Sequence, residues 1–166
     1  MADEAGAAAF QALVADLDYP MFVVTAAAEG RRAGCMVGFA TQCSMAPPRL
    51  LLCMSKRNFT FGVAARAEVL VVHFLGQHDM EVARLFGGET GDEVDKFARC
   101  RWRPGPGGAP VLEAGRGWIA GNVLEQVPFG DHVGFVVEPF AGHVGDAGAP
   151  QLGFQAVRDL QPGHGA

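Results

Sequence analysis

The chain has 166 residues, 49% hydrophobic and 19% charged, which is enough to bury a sizeable core as one domain. A net charge of -5, from 13 basic and 18 acidic residues without long runs of like sign, argues against a nucleic-acid or anionic-membrane surface. Apolar stretches such as residues 69–75 are too short to span a bilayer, and the opening MADEAGAAAF carries acids where a signal peptide carries Lys or Arg, so a cytoplasmic location is expected.

Phe10, Leu13, Val14 and Leu17 recur at helical spacing, which predicts an amphipathic helix over residues 5–17, stopped at Tyr19-Pro20. MFVVTAA, from Met21, reads as a buried strand, and Glu29-Gly30 as the hairpin turn into a second strand over residues 33–40. Gly34 and Gly38 imply close backbone approach there. Residues 34–44 are small and irregular, and the double proline Pro47-Pro48 closes the loop that follows, because neither residue can donate to a ladder. Residues 50–54, LLLCM, form a short core strand. Asn58 or Thr60 caps a short helix through Arg66, and residues 68–75 form another strand. Asp79 suits the N-cap of a helix that carries Met80, Ala83 and Phe86 and that Gly87-Gly88 terminates. Residues 88–102 are polar with isolated aromatics, and RPGPGGAP reads as turn material. Strands over residues 117–127 and 132–140 flank a PFGD hairpin, and the tail beyond Phe154 is expected to fray at its last few residues.

Strands outnumber helices and no regular strand–helix alternation occurs, so a doubly wound parallel sheet is disfavoured. The expected class is mainly β: a closed or half-closed antiparallel barrel with helices at its margins, as a single domain with its core over about residues 17–157. Cys35, Cys43, Cys53 and Cys100 form no C-x-x-C pair and are expected to be buried reduced thiols, with no metal site.

Ser55, Lys56, Asn58 and Thr60 lie between a core strand and a helix, where a cation, hydroxyls and free helix amides make an anion site, most economically for phosphate. The same residues also cap helices with nothing bound. Residues 34–44 can admit a flat ligand against small side chains or can simply line a crowded barrel strand. No G-x-G-x-x-G, P-loop or nucleophile elbow is present. His132, in FGDH, can donate, accept or titrate near neutrality, whereas His73 alternates with Val72 and Phe74 and is expected to be packed.

In order along the chain stand Val23-Val24-Thr25, a glycine-led segment ending at Ser44 with Pro47-Pro48, the apolar strand, the Ser55–Thr60 turn, Val71 to Leu75, Phe86, Lys96-Phe97 and Gly130-Asp131-His132. This succession resembles the flavin reductase-like family. The resemblance implies an FMN-binding split barrel of Greek-key type, a homodimer with the flavin in a cleft near the subunit boundary, and hydride transfer from NADH or NADPH to N5 of FMN or FAD. It further implies delivery of reduced flavin to a partner flavin-dependent monooxygenase. By position, Met36, Val37, Gly38, Phe39, Cys43 and Ser44 would run along the isoalloxazine, and Ser55, Lys56, Asn58 and Thr60 would hold phosphate. Phe86, Lys96 and Phe97 would lie near the ligand's far side, and His132 would orient the nicotinamide. Met36 and Phe39 replace hydroxyl residues usual in the family, which leaves open a non-catalytic flavin or ligand binder, or a flavoprotein acting directly on an organic substrate. Arg49 adds a further cation near the ring or phosphate.

Overall fold

The computed structural model describes residues 3–160; the tail expected to fray, residues 161–166, lies outside them. The elements are α1 (Glu4–Ala15), β1 (Phe22–Ala28), β2 (Arg31–Val37), β3 (Ala40–Met45), β4 (Pro48–Ser55), α2 (Phe59–Ala64), β5 (Val69–Phe74), α3 (Met80–Gly88), β6 (Trp102–Pro104), β7 (Pro110–Leu112), β8 (Gly117–Pro128) and β9 (His132–Val144). Seven strands form one antiparallel sheet in the order β2-β1-β5-β8-β9-β4-β3, and β6 pairs with β7. The neighbours β1-β5, β5-β8 and β9-β4 are not consecutive in the chain, so the wiring is that of a Greek key rather than a meander. The two end strands, β2 and β3, follow one another in sequence without sharing a ladder among the described residues. The barrel is therefore half-closed, and the chain crosses its split at Gly38-Phe39.

The strands form where apolar residues can be buried on one face or on both. Phe22, Val24 and Ala26 of β1 enter the barrel core with Leu52, Met54, Leu70, Val72, Phe135 and Val137, while Met21 and Val23 enter a second core beneath α3 with Leu75, Phe86 and Leu152. Burial on both faces accounts for the continuous apolar run at Met21, where a half-exposed strand would alternate. Each fully buried Val or Leu contributes about 1.5–3 kcal/mol relative to exposure. Glu29 (φ 52°) and Gly30 (φ 75°) form the two-residue turn between β1 and β2, with Ala28 opposite Arg31. Both turn residues need positive φ, which Gly supplies without steric cost. A Cβ on Gly34 would lie 2.7 Å from Phe86 Cε1, and one on Gly38 would lie 2.8 Å from Tyr19 Cε2. Both glycines are thus sites of close approach, as expected.

Several expectations are corrected. Residues 34–44 are the end of β2, a corner and the strand β3, which pairs with β4 from Ala40↔Leu52 to Met45↔Pro48 with a bulge between Gln42 and Ser44. An edge strand exposed on both faces carries no apolar periodicity, so ATQCSM gave no strand signal. The double proline does not end a loop: Ala46-Pro47 is the β3–β4 turn, and Pro48 opens β4, a position that needs no amide donor. Asp79 does not cap α3 with its side chain; its carboxylate accepts from Gly76 N (2.7 Å) and Gly115 N (3.2 Å), closing the 3-10 turn before α3. RPGPGGAP lies in the β6–β7 hairpin rather than in turns alone. Cys35 is buried, Cys53 and Cys100 are half-buried and Cys43 is exposed; all four are free. α1 forms as expected, but none of its residues is buried: Phe10 and Leu13 are exposed, as is Leu17 just beyond the helix, and Gln155 Nε2 donates to Ala15 O and Leu17 O at the C-terminal end.

Candidate functional site

The β4–β9 ladder places Ser55 opposite His132, and the Lys56 amide donates to Asp131 O at 2.9 Å. The Ser55–Thr60 turn and the distant Gly130-Asp131-His132 segment therefore form one edge of the split. Ser55 Oγ accepts from Arg57 N (3.3 Å), and Asn58 caps α2 by accepting from Thr60 N (2.9 Å). Thr60 itself is buried, while Lys56 extends into solvent. His132 is paired through Nδ1 with Asp131 Oδ1 at 2.7 Å, and this contact holds the Asp131 carboxyl below its ordinary pKa.

The Phe39 ring, 55% exposed, stands 5.2 Å from the His132 ring and 6.4 Å from Tyr19, which in turn stacks on Phe154 at 4.8 Å. A row of aromatic rings thus crosses the split. Of the other residues in this segment, Val37 faces the barrel core and Met36 lies beneath α3, where a Cβ on Gly87 would meet its Cε at 2.5 Å. The Met36 side chain is a packing contact, so the hydroxyl missing at that position is missing from the core side of the strand. Cys43 and Ser44 sit at the β3 bulge, Cys43 exposed and Ser44 half-buried. β3 ends the sheet, so its outward edge is laddered to no other strand among the described residues; on this strand Gln42 O accepts from Thr41 Oγ1 (3.2 Å) and Ser44 O from Gln42 Nε2 (3.1 Å).

Phe86, Lys96 and Phe97 lie behind β2 and are buried. The Lys96 ammonium donates to Gly34 O (3.0 Å) and Phe86 O (3.2 Å), tying β2 to the last turn of α3, and burial lowers its pKa. Cys35, on the opposite face of β2, lies against Asn58 and Thr60, and burial pushes its thiol up to about 11. Beside Lys96 a groove of about 650 Å³ opens between Arg31-Arg32, Phe59 and the loop over residues 91–97. Arg49 is occupied at the barrel wall: its Nε donates to Glu138 Oε2 at 3.0 Å, because that pair faces across the β4–β9 ladder. His73 is packed as expected; its Nδ1 donates to Val23 O and its Nε2 accepts from Leu112 N, both at 2.9 Å, and burial lowers its pKa to about 4.

The residues present fit a flavin. The edge strand β3 can meet the polar edge of an isoalloxazine through its unladdered side, Phe39 and His132 offer ring faces beside it, and the exposed Lys56 with Ser55 can meet a phosphate. Sequence reasoning missed Tyr19, Arg31, Arg32 and Phe59. None stands in a recognisable motif; the packing of the sheet brings Tyr19 to Phe39 at the split, and Arg31, Arg32 and Phe59 to the groove beside Lys96.

The flavin reductase like domain model matches residues 14–160. A protein named FMN reductase (NADH) RutF from Methylorubrum extorquens is 34% identical over 106 residues, covering 64% of this chain and 51% of that protein. The chain thus spans about half the length of that relative. A second relative, named the reductase component of an FADH(2)-dependent resorcinol hydroxylase from Rhizobium sp., is 28% identical over 132 residues, covering 78% of this chain and 73% of the relative. The crystal structure of a flavin reductase domain protein from Arthrobacter sp. FB24 superposes with a TM-score of 0.79 at 24% identity, covering 87% of this chain and 88% of the other, which shows a common fold. With the family model spanning nearly the whole chain, the protein belongs to the flavin reductase like domain family.

Proposed function

We propose that the chain is an NAD(P)H-dependent flavin reductase that supplies reduced FMN or FAD to a partner flavin-dependent monooxygenase in the cytoplasm. The observation that carries this reading is the meeting, at one split, of the Ser55–Thr60 turn, Phe39 and His132, three segments far apart in sequence. The names of the two relatives support the reaction and the partner class.

In this reading the flavin, when bound, supplies the redox chemistry, and the protein supplies position and electrostatics. Lys56 and Ser55 hold the phosphate, Asn58 and Thr60 shape the turn around it, and backbone groups of Met36, Val37, Gly38, Cys43 and Ser44 lie along the ring. Those fixed dipoles stabilise negative charge that develops on the ring without having to reorganise. Phe39 and His132 hold the nicotinamide in stacking contact, which converts an encounter into an oriented reaction. Phe86, Lys96 and Phe97 support β2 from behind.

The active unit in this reading is a homodimer. Its support is the apolar outer surface near the split, where Met45 and Phe129 are exposed and Leu51 and Val136 are half-buried. Light scattering is expected to give twice the 17.5 kDa chain mass. The central test follows nicotinamide absorbance in purified protein with and without added FMN or FAD. Turnover that needs added flavin supports the proposal, and failure to oxidise NADH or NADPH with either flavin would sink it.

A further inference from the structure

We propose that the cleft between the β6–β7 hairpin and the β8–β9 ladder is a second ligand site, for a single-ring aromatic carboxylate. The site is independent of the flavin reductase reading, and it shares no lining residue with the split or with the groove beside Lys96. The chain has two tryptophans, Trp102 and Trp118, and both line this one cleft. Its volume is about 290 Å³. That lies at the lower end of ordinary small-molecule sites, roughly 300–1,000 Å³, and suits one ring rather than a dinucleotide. Its walls are held from behind by bonds to distant elements. Trp102 Nε1 donates to Phe97 O (2.9 Å), and Leu112 N, on the strand opposite, donates to His73 Nε2 (2.9 Å). Gly115 N donates to Asp79 Oδ1 (3.2 Å) and Gly145 N to Arg116 O (2.9 Å). Trp118 lies opposite His73 in one ladder and His143 in the next. A cleft fixed in this way needs little ordering when a ligand enters, which lowers the cost of binding.

The polar groups of the cleft select an anion. Arg103 is exposed and forms no ion pair among the described residues. Its guanidinium carbon stands 5.7 Å from the Trp118 ring centroid, so the indole holds the fork in place while its N–H groups keep their capacity for a carboxylate. His143 lines the same cleft and can donate a further hydrogen bond. Glu113, the one carboxylate in the lining, stands 3.9 Å from the Arg101 guanidinium, which offsets its repulsion of an entering anion. The apolar wall is Val111 and Leu112 with the two indoles, a surface that a planar ring covers and a small inorganic anion leaves wet. A neutral ring, conversely, leaves Arg103 without an anion. Only a ligand with both features satisfies both parts of the cleft.

The test titrates the purified full chain, free of flavin, with benzoate and follows tryptophan emission, which reports directly on the cleft because both tryptophans line it. The expected result is a saturable change with a dissociation constant on the order of 1 mM, with cyclohexanecarboxylate and benzyl alcohol each binding about tenfold more weakly. Arg103→Gln is expected to weaken benzoate about tenfold while keeping FMN affinity within about twofold. Saturation with FMN is expected to leave benzoate binding unchanged. Trp118→Leu, followed by calorimetry, is expected to lose benzoate; if that variant fails to fold, Arg103→Gln carries the test at an exposed side chain. Absence of a saturable change, parental benzoate affinity in Arg103→Gln, equal binding of cyclohexanecarboxylate, or displacement of benzoate by FMN overturns the site. Each of these outcomes leaves the reductase reading intact, since that reading is tested by nicotinamide oxidation.

Discussion

Two lysines and two histidines divide the molecule into a closed region behind β2 and an open region at the split. Lys96 and His73 are buried, and each is engaged by main-chain groups: the ammonium by two carbonyls, the imidazole by one carbonyl and one amide. Lys56 and His132 stand at the rim, where the Lys56 side chain is exposed and His132 makes its side-chain pair with an exposed carboxylate. In sequence the members of each pair look alike, a lysine beside an aromatic or capping residue and a histidine at a strand. Burial separates them, since a buried polar group must be bonded to be tolerated, whereas an exposed one keeps its bonding capacity for a ligand.

The largest effect is expected at Lys96. Lys96→Ala removes two charge-assisted hydrogen bonds, strands two buried carbonyls and leaves a void, for a loss of about 4 kcal/mol in urea unfolding. Unchanged stability with weakened flavin binding would move Lys96 to the open side of the comparison. Next comes His73. Its folded pKa of about 4 lies below the ordinary 6.5, so the unfolded chain binds the proton more readily and the neutral, doubly bonded ring stabilises the fold at higher pH. That contribution is complete above about pH 6.5 and is lost as pH falls toward 4, amounting to about 3 kcal/mol. His73→Leu is expected to be less stable at neutral pH and to lose this part of the slope; a variant with the same pH dependence as the parent would show that other groups govern it.

At the rim the effects fall on binding. Lys56→Ala is expected to weaken flavin binding about tenfold, or about 1.4 kcal/mol, with stability unchanged, and an unaltered dissociation constant in a flavin titration counts against a phosphate at that turn. The smallest effect is at His132. His132→Ala is expected to raise the KM for NADH about threefold, as befits one exposed contact, and to shift stability by less than about 0.5 kcal/mol. A melting point that falls as far as that of the Lys96 variant would erase the distinction between rim and interior.

The ladder from Met21 was legible because β1 is apolar on both faces, and the Glu29-Gly30 hairpin because its turn demands positive φ. Asn58 was legible as a cap by its side-chain chemistry. The exposed edge strand β3 was not, because a strand with neither face buried has no alternation to read. Asp79 gave a helix-cap signal that the structure uses for Gly76 and Gly115, and Gly115 is too distant in sequence for local spacing to reveal the bond.

By itself the sequence determined what depends on short-range steric and hydrophobic constraints: an antiparallel β domain with small flanking helices, its glycine approaches, and the polar turn after β4. Only the tertiary structure decided which lysine is a brace and which is exposed, that His132 stands opposite Ser55, and that Arg31 and Arg32 line a groove with Phe59 and the loop over residues 91–97. Those facts depend on which strands pair and which faces pack, and pairing between distant segments is settled by the burial of the whole sheet rather than by any local stretch of it.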